Sequence, residues 1–156
     1  WGISGARIAP APPEPVEVVI GASAPPAIER AARLGDGWLA TPATDLEGAR
    51  AELRRYHAAC ERHGVTPRAG IRKDVFVSER AAEAEAFARE IASRGHRGFP
   101  PEALVIGTPE QVAEQLAGYA DAGFGEVVVR NAAPDQAACL ETIAALAEVE
   151  RRLAPA

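Results

Sequence analysis

The feature that most limits the fold of this chain is a strand-like apolar run followed by a helix-like stretch, an order that recurs four times. The strand-like runs are residues 16–20, 37–40, 69–77 and 126–130. Helices are predicted at about residues 27–34, 44–63, 79–94, 108–122 and 135–153, and Thr108 with Gln111 predicts a capping box at the start of the fourth. Such alternation predicts an α/β fold whose parallel sheet is connected by right-handed crossovers. By itself it does not separate a doubly wound sheet from part of a barrel.

Side-chain periodicity predicts which faces of these elements are buried. The run at 16–20 is apolar almost throughout, which is typical of a strand buried on both faces. In the third strand, Arg72 and Asp74 share one face and Val75 and Val77 share the other, because side chains alternate along a strand. The last helix is predicted to pack through three apolar residues, Leu140, Ile143 and Ala147.

Composition narrows the class of protein. The chain has 156 residues, enough for one domain, and a net charge of −5 with arginine and glutamate interspersed, which argues against nucleic-acid and membrane partners. No apolar run approaches the roughly 20 residues of a membrane helix. Cys60 and Cys139 have no metal-ligand spacing, so we expect free thiols, no metal site and a cytoplasmic protein.

The first 15 residues differ in character from the rest. They contain four prolines and no periodicity, which predicts a connector or an extended arm ahead of one domain at residues 16–156. The chain has no methionine and starts with Trp1. We therefore expect either that residues were removed from its start or that it begins partway through a longer gene product.

A loop of small residues follows the first strand and is the strongest local candidate for a ligand site. It consists of Gly21, Ala22, Ser23 and Ala24, and a helix begins soon after it. Small side chains let a ligand approach the backbone, and a helix N-terminus offers N–H groups to a phosphate. The alternative is an ordinary tight turn in which Ser23 caps the helix.

Three further residues could contact an anionic ligand. Thr41 follows the second strand at the same predicted edge, and the alternative is that it only starts a turn. Arg72 would point into a barrel if Val75 packs against helices, but an ion pair with Asp74 is the alternative. Arg130 ends the last strand and could contact a phosphate or a substrate, or simply face solvent.

The remaining candidates for chemistry are weaker. His57 and His63 lie on one amphipathic helix and are predicted to be surface residues. His96 belongs to a loop and could border a pocket. Trp38 is predicted to pack in the core, not to stack on a ring. No nucleophile or general base stands out, so the catalytic residues are not identified.

Several segments together resemble the luciferase-like monooxygenase family. They are residues 18–23, 30–39, 97–99, 104–113 and 123–130, in the order and spacing of that family. The sequence Ala-Arg-Leu-Gly-Asp-Gly-Trp at 32–38 is the most distinctive. Members of the family use FMN or coenzyme F-420 inside a TIM barrel. The resemblance implies that the four β/α units are the C-terminal half of a (β/α)8 barrel.

The resemblance also implies a role for the loop. It places the phosphate of FMN or F-420 at residues 21–24, with the Ser23 hydroxyl as a donor and a hydroxyl at Thr41. In F-420-dependent relatives, lysines and an arginine hold the phosphate, whereas this chain has Thr44, Ala137 and Ala138 at some of these positions. Lys73 is the only lysine, so phosphate binding would depend on arginine and backbone groups.

The resemblance implies half of an oxidoreductase of the monooxygenase type that acts on a small molecule. In that family, the preceding half of the barrel normally supplies much of the flavin-ring pocket and most substrate contacts. A half barrel leaves two open strand edges, which predicts a homo-oligomer or a chain that supplies the N-terminal half. The alternative is a non-catalytic partner subunit or binding module that associates with itself through these edges.

Overall fold

The computed structural model describes residues 2, 4–6, 10 and 12–154 and has the alternating order that the sequence predicts. The strands are β1 (Val19–Gly21), β2 (Gly37–Ala40), β3 (Ala69–Val77), β4 (Val105–Gly107) and β5 (Glu126–Asn131). The α-helices are α1 (Pro25–Leu34), α2 (Leu46–His63), α3 (Ala81–Arg94), α4 (Pro109–Ala122) and α5 (Gln136–Leu153), and a 3-10 helix spans Pro101–Ala103. The predicted connector at 1–15 lies partly outside the described residues.

All pairs in the five-stranded sheet are parallel, as predicted. β1 pairs with β2, β2 with the start of β3, and β5 with the opposite edge of β3. β4, which the sequence analysis did not predict, pairs with the last residues of β3, from Val75 to Val77. Three residues are too few for a periodic signal, so only the pairing with β3 defines this strand.

The prediction that the first strand is buried on both faces is wrong. β1 begins at Val19, later than predicted, and Val16, Val18 and Val19 are exposed. β1 lies at the end of the sheet, where β2 is its one neighbour within residues 12–154, and Ile20 is the residue of β1 that packs against the main core. The apolar run at 16–20 therefore predicted a strand correctly, but it did not predict how much of that strand is exposed.

Helices α1, α2, α4 and α5 contribute to a single core on one face of the sheet. Val75 and Val77 of β3 lie in this core, as does Trp38 of β2. α3 instead packs against Phe76 on the opposite face, where Phe76 stacks on Phe87 with ring centroids 4.2 Å apart. The two faces of β3 thus have different partners, and the predicted alternation along this strand is confirmed.

α5 buries a different face from the predicted one. Leu140, Ile143 and Ala147 are exposed, and the buried residues are Thr142, Ala145 and Val149. The Thr142 hydroxyl donates to the carbonyl oxygen of Val77 at 3.1 Å, which lets a polar residue occupy the buried face. The prediction failed because it ranked residues by hydrophobicity and could not include this long-range hydrogen bond.

Local sequence signals account for the helix ends. Asp45 caps α2 by accepting from the Gly48 N–H at 2.8 Å. Thr108 and Gln111 form the predicted capping box at the start of α4. Among the described residues, no helix is both long and apolar enough to cross a membrane.

Candidate functional site

The face of the sheet opposite the main core, here called the inner face, carries a cluster of charged side chains. Arg72 and Asp74 point to this face because Val75 and Val77 point into the core. Arg130 of β5 joins them, since the pairing of β3 and β5 places it beside Asp74. The sequence analysis predicted the shared face of Arg72 and Asp74 but not the proximity of Arg130.

Asp74 is the centre of this cluster. Its Oδ2 atom accepts from Nη1 of Arg130 at 2.6 Å and lies 2.8 Å from Nε2 of His96. The Asp74 side chain is 1% exposed. Burial alone would raise the pKa of the carboxyl group, but the hydrogen bonds from His96 and Arg130 outweigh it and place the pKa below its usual value. Asp74 is therefore an anion near neutral pH.

The predicted ion pair between Arg72 and Asp74 is present, but the two groups do not form a hydrogen bond. The closest approach, from Nη2 of Arg72 to Oδ1 of Asp74, is 3.6 Å, which is too long for a hydrogen bond. Among the described residues, neither Oδ1 of Asp74 nor Nε of Arg72 has a hydrogen-bond partner, although both atoms are buried. A donor and an acceptor therefore lie unused at the inner face.

His96 reaches the cluster from a tight loop that follows α3. Gly95, Arg97 and Gly98 all have positive φ angles, and the Phe99 N–H donates to the His96 carbonyl at 2.8 Å. The left-handed conformation of Arg97 costs roughly 1 kcal/mol, because its Cβ crowds the following carbonyl. The sequence placed His96 in a loop and did not predict its contact with Asp74. The sequence signal for this contact was Asp74 itself, because a carboxylate buried in a strand requires cationic or hydrogen-bonding partners.

The loop Gly21–Ala24 lies at the carboxyl edge of β1. The indole Nε1 of Trp38 donates to the Ala22 carbonyl at 2.8 Å, and the Ala22 N–H donates to Leu39. Trp38 is fully buried and stacks on Tyr56 with ring centroids 5.0 Å apart, so the prediction that it packs in the core is confirmed. A rigid core residue thus positions an exposed loop.

The donors of this loop differ from those expected. α1 begins with Pro25 and Pro26, which have no N–H, and the Ala27 N–H bonds to the Ala24 carbonyl. The first turn of the helix therefore offers fewer donors than a typical helix N-terminus. Ala24, not Ser23, occupies the N-cap position. Within the described chain, the N–H groups of Ser23 and Ala24 and the exposed Ser23 hydroxyl make no hydrogen bond.

Thr41 follows β2 at the same edge of the sheet. Its Oγ1 accepts from the Ala43 N–H at 3.3 Å, which agrees with the alternative that it starts a turn. The pairing of Gly21 with Leu39 places the ends of β1 and β2 side by side. The loop and Thr41 therefore share one edge, and the parallel pairing of Ala40 with Ile71 places Arg72 at the level of Thr41.

Lys73 points away from the site. Its Nζ donates to the Thr44 carbonyl at 2.7 Å and lies 5.1 Å from the centre of the Tyr119 ring, on the helix-covered side of the sheet. Desolvation lowers the pKa of Lys73 to about 8, while the charges of Asp45 and Asp74 offset part of this effect. The single lysine is thus a structural residue.

We expect the free energy of unfolding to rise with pH as Lys73 loses its proton. Below pH 8 Lys73 is protonated in both states; above it the unfolded chain, with the usual pKa of 10.5, binds more protons than the folded one. The gain between pH 7 and 9.5 is about 2 kcal/mol, obtained by integrating the difference in bound protons. Urea unfolding of the wild type and Lys73→Met would measure it. Parallel pH profiles for the two proteins would contradict this assignment.

The other predicted residues take up structural positions. His63 lies 2.8 Å from Glu29 of α1, which also pairs with Arg62. Cys60 is buried and Cys139 is partly buried, and both are free thiols as predicted. Among the described residues, no group of histidine, cysteine and acidic side chains could hold a metal ion.

Comparison with known proteins identifies relatives. The sequence model described as luciferase-like monooxygenase matches residues 2–102. None of the curated proteins compared with the chain matches it.

Solved structures share the fold at low sequence identity. The apo form of MsnO8 has a TM-score of 0.71 and 23% identity over 99% of this chain and 56% of its own. An F-420-dependent secondary alcohol dehydrogenase, in complex with an F-420–acetone adduct, has a TM-score of 0.71 and 12% identity over 96% of this chain and 52% of its own. The 3,6-diketocamphane monooxygenase component from Pseudomonas putida, in complex with FMN, has a TM-score of 0.66 and 16% identity over 87% of this chain and 48% of its own. The chain thus spans about half the length of these proteins, and its five-stranded sheet is a partial barrel.

Proposed function

Because this chain belongs to the luciferase-like monooxygenase family, we propose that it supplies the cofactor-phosphate side of a flavin- or F-420-dependent oxidoreductase. The observation that carries the proposal is the geometry of the loop Gly21–Ala24. Among the described residues its Ser23 and Ala24 N–H groups make no hydrogen bond, and the indole N–H of Trp38 holds the neighbouring Ala22 carbonyl. Two adjacent N–H groups and a hydroxyl are suitable donors for a phosphate. FMN and F-420 are the candidates, since each is bound by a neighbour that shares the fold.

Thr41, Arg72 and Arg130 complete the proposed site. Thr41 lies at the same sheet edge as the loop, and its hydroxyl proton is available to an acceptor. Arg72 and Arg130 add positive charge on the inner face, where Asp74 orients Arg130. When bound, the cofactor would supply hydride transfer or oxygen activation. The residues of this chain would bind and orient its anionic part.

A complete site requires a partner in this proposal. Among the described residues, β1 and β5 each pair with one strand and so present an unpaired edge, and Val128 of β5 is exposed on the inner face. Unpaired edges with exposed apolar residues favour association with another chain. We propose either a second copy or a chain that supplies the N-terminal half of the barrel. The same edges would also serve the alternative function, a non-catalytic subunit.

Ser23→Asp is expected to lower the affinity for FMN or F-420 by more than about tenfold, roughly 1.4 kcal/mol, in the assembly that binds the cofactor. The new carboxylate would repel the phosphate at the loop. Fluorescence titration of the cofactor measures the change. Ser93→Asp is the matched control, because Ser93 is an exposed residue of α3 that receives the same charge. Equal affinities for the two variants would leave the loop as an ordinary turn.

A further inference from the structure

The described sheet is four strands wide, in the order β1, β2, β3 and β5. Val75 of β3 pairs with Asn131 of β5 and also with Val105 of β4, so β4 and β5 lie on opposite edges of β3. β4 therefore continues the edge of β3 that β2 occupies, and it does not widen the sheet. A β/α barrel closes with eight parallel strands. The described sheet thus supplies half of that number.

Both outer strands expose apolar side chains beside an open edge. Val18 and Val19 are exposed at β1, and Val128 and Val129 are exposed at β5. In the part of the chain that the structure describes, each of these two strands pairs with one neighbour. Parallel strands are normally covered on both faces, and an open edge favours pairing with another strand. Each edge therefore requires a further strand that runs in the same direction.

Beside the open edge of β1, helix α1 exposes a cationic and an apolar side chain. Glu29 contacts Arg62 and His63 of α2, so α2 lies on that side of α1. Arg30 and Leu34 are four residues apart and share another face, where both are exposed. Because α2 lies on the β2 side of α1, this other face is directed toward the open edge of β1.

Beside the open edge of β5, an apolar groove of about 640 Å³ lies between the strand and helices α4 and α5. Glu150 of α5 also lines this groove, and it is exposed. The two arginines that follow it, Arg151 and Arg152, both pair with Glu148 instead. The apolar lining residues include Val127, Val129, Leu146, Val149 and Leu153. This edge therefore offers an apolar groove with a negative charge beside it.

From these features we infer that two copies of the chain close one eight-stranded barrel, in which β5 of each copy pairs with β1 of the other. Arg30 of one copy then lies beside Glu150 of the other, and Leu34 covers the groove. The contact is head to tail, and a two-fold rotation about the barrel axis repeats it once, so the ring closes with two copies. The inference names the partner in the proposed function and rests on that proposal for the sheet being half of a barrel.

A second copy fits because the chain carries both sides of the contact. α1 presents a positive charge and an apolar side chain, and α5 presents a negative charge and an apolar groove. A rotation about the barrel axis also keeps all eight strands in one direction. Because closure repeats the same half, the dimer has two Gly21–Ala24 loops at one rim and no catalytic loops beyond those of this chain.

Sedimentation equilibrium of the full chain without cofactor tests the assembly. We expect a species of twice the chain mass at micromolar concentration that does not grow further, because a closed ring leaves no open strand edge. Amide hydrogen exchange locates the contact, since exchange in β1 and β5 should slow as the chain associates. A monomer, oligomers that continue to grow, or unchanged exchange in both strands would overturn the inference.

An exchange of charges tests the head-to-tail arrangement. Glu150→Arg and Arg30→Glu each place like charges at both contacts of the dimer, so each variant alone should raise the dissociation constant by about tenfold. An equimolar mixture of the two variants restores opposite charges at both contacts, and its affinity should return to about the wild-type value. Glu114→Arg is the matched control, because Glu114 is an exposed residue of α4 on the side that faces α3.

Circular dichroism verifies that each variant is folded. Variants that dimerise as tightly as the wild type, or a mixture that associates no better than its components, would contradict the head-to-tail contact. No step of the experiment uses a cofactor, so a failure of flavin or F-420 binding is a separate result and concerns the phosphate loop alone.

Discussion

The isolated chain, given FMN with NADH or reduced F-420, is expected to show no turnover above the free-cofactor background. The catalytic face of a β/α barrel is built from loops of all its units. This chain spans 56%, 52% and 48% of three proteins that share its fold, and the part of its sheet that the structure describes has unpaired edges on β1 and β5. Cofactor oxidation, followed by absorbance under steady-state conditions, measures the effect.

Activity should return together with cofactor binding when the N-terminal half of the barrel is supplied, either fused or as a separate chain. That half on its own is the control, since it should be inactive as well. Robust turnover by this chain alone would contradict the half-enzyme proposal. It would mean that copies of the chain form a working barrel by themselves.

Trp38→Ala is expected to reduce the free energy of unfolding by about 3–5 kcal/mol, the range for removing a large aromatic side chain from a core. Trp38 is fully buried, stacks on Tyr56 and lies 6.1 Å from the Phe124 ring. Its indole N–H also bonds to Ala22. The variant would therefore lose core packing and release the loop Gly21–Ala24. Urea unfolding followed by circular dichroism measures the change in stability.

Trp38→Phe separates the two contributions. It retains an aromatic ring against Tyr56 but removes the donor to the Ala22 carbonyl, so we expect a smaller loss of about 1–2 kcal/mol. If the phenylalanine variant unfolded as easily as the alanine variant, packing against Tyr56 would not be the main contribution. A loss below about 1 kcal/mol for Trp38→Ala would place this residue outside the stability core.

Much of the fold followed from local patterns. The alternation along β3 assigned Arg72 and Asp74 to one face and Val75 and Val77 to the other, because a strand has a fixed period of two. The capping box at Thr108 located the start of α4 for a similarly local reason. The parallel sheet followed from the order of strands and helices. The Ser23 loop was identified by its small residues, and its role is still a proposal.

Contacts between distant parts of the chain decided the rest. The sequence by itself determined the parallel α/β architecture, the faces of β3 and the family, because these depend on periodicity, turn residues and local motifs. Only the tertiary structure decided that β4 pairs with β3, that α5 buries Thr142 and that Asp74 meets both Arg130 and His96. Arg130 and His96 are 56 and 22 residues from Asp74, and strand register and loop geometry bring them together. No local sequence pattern predicts strand register or loop geometry.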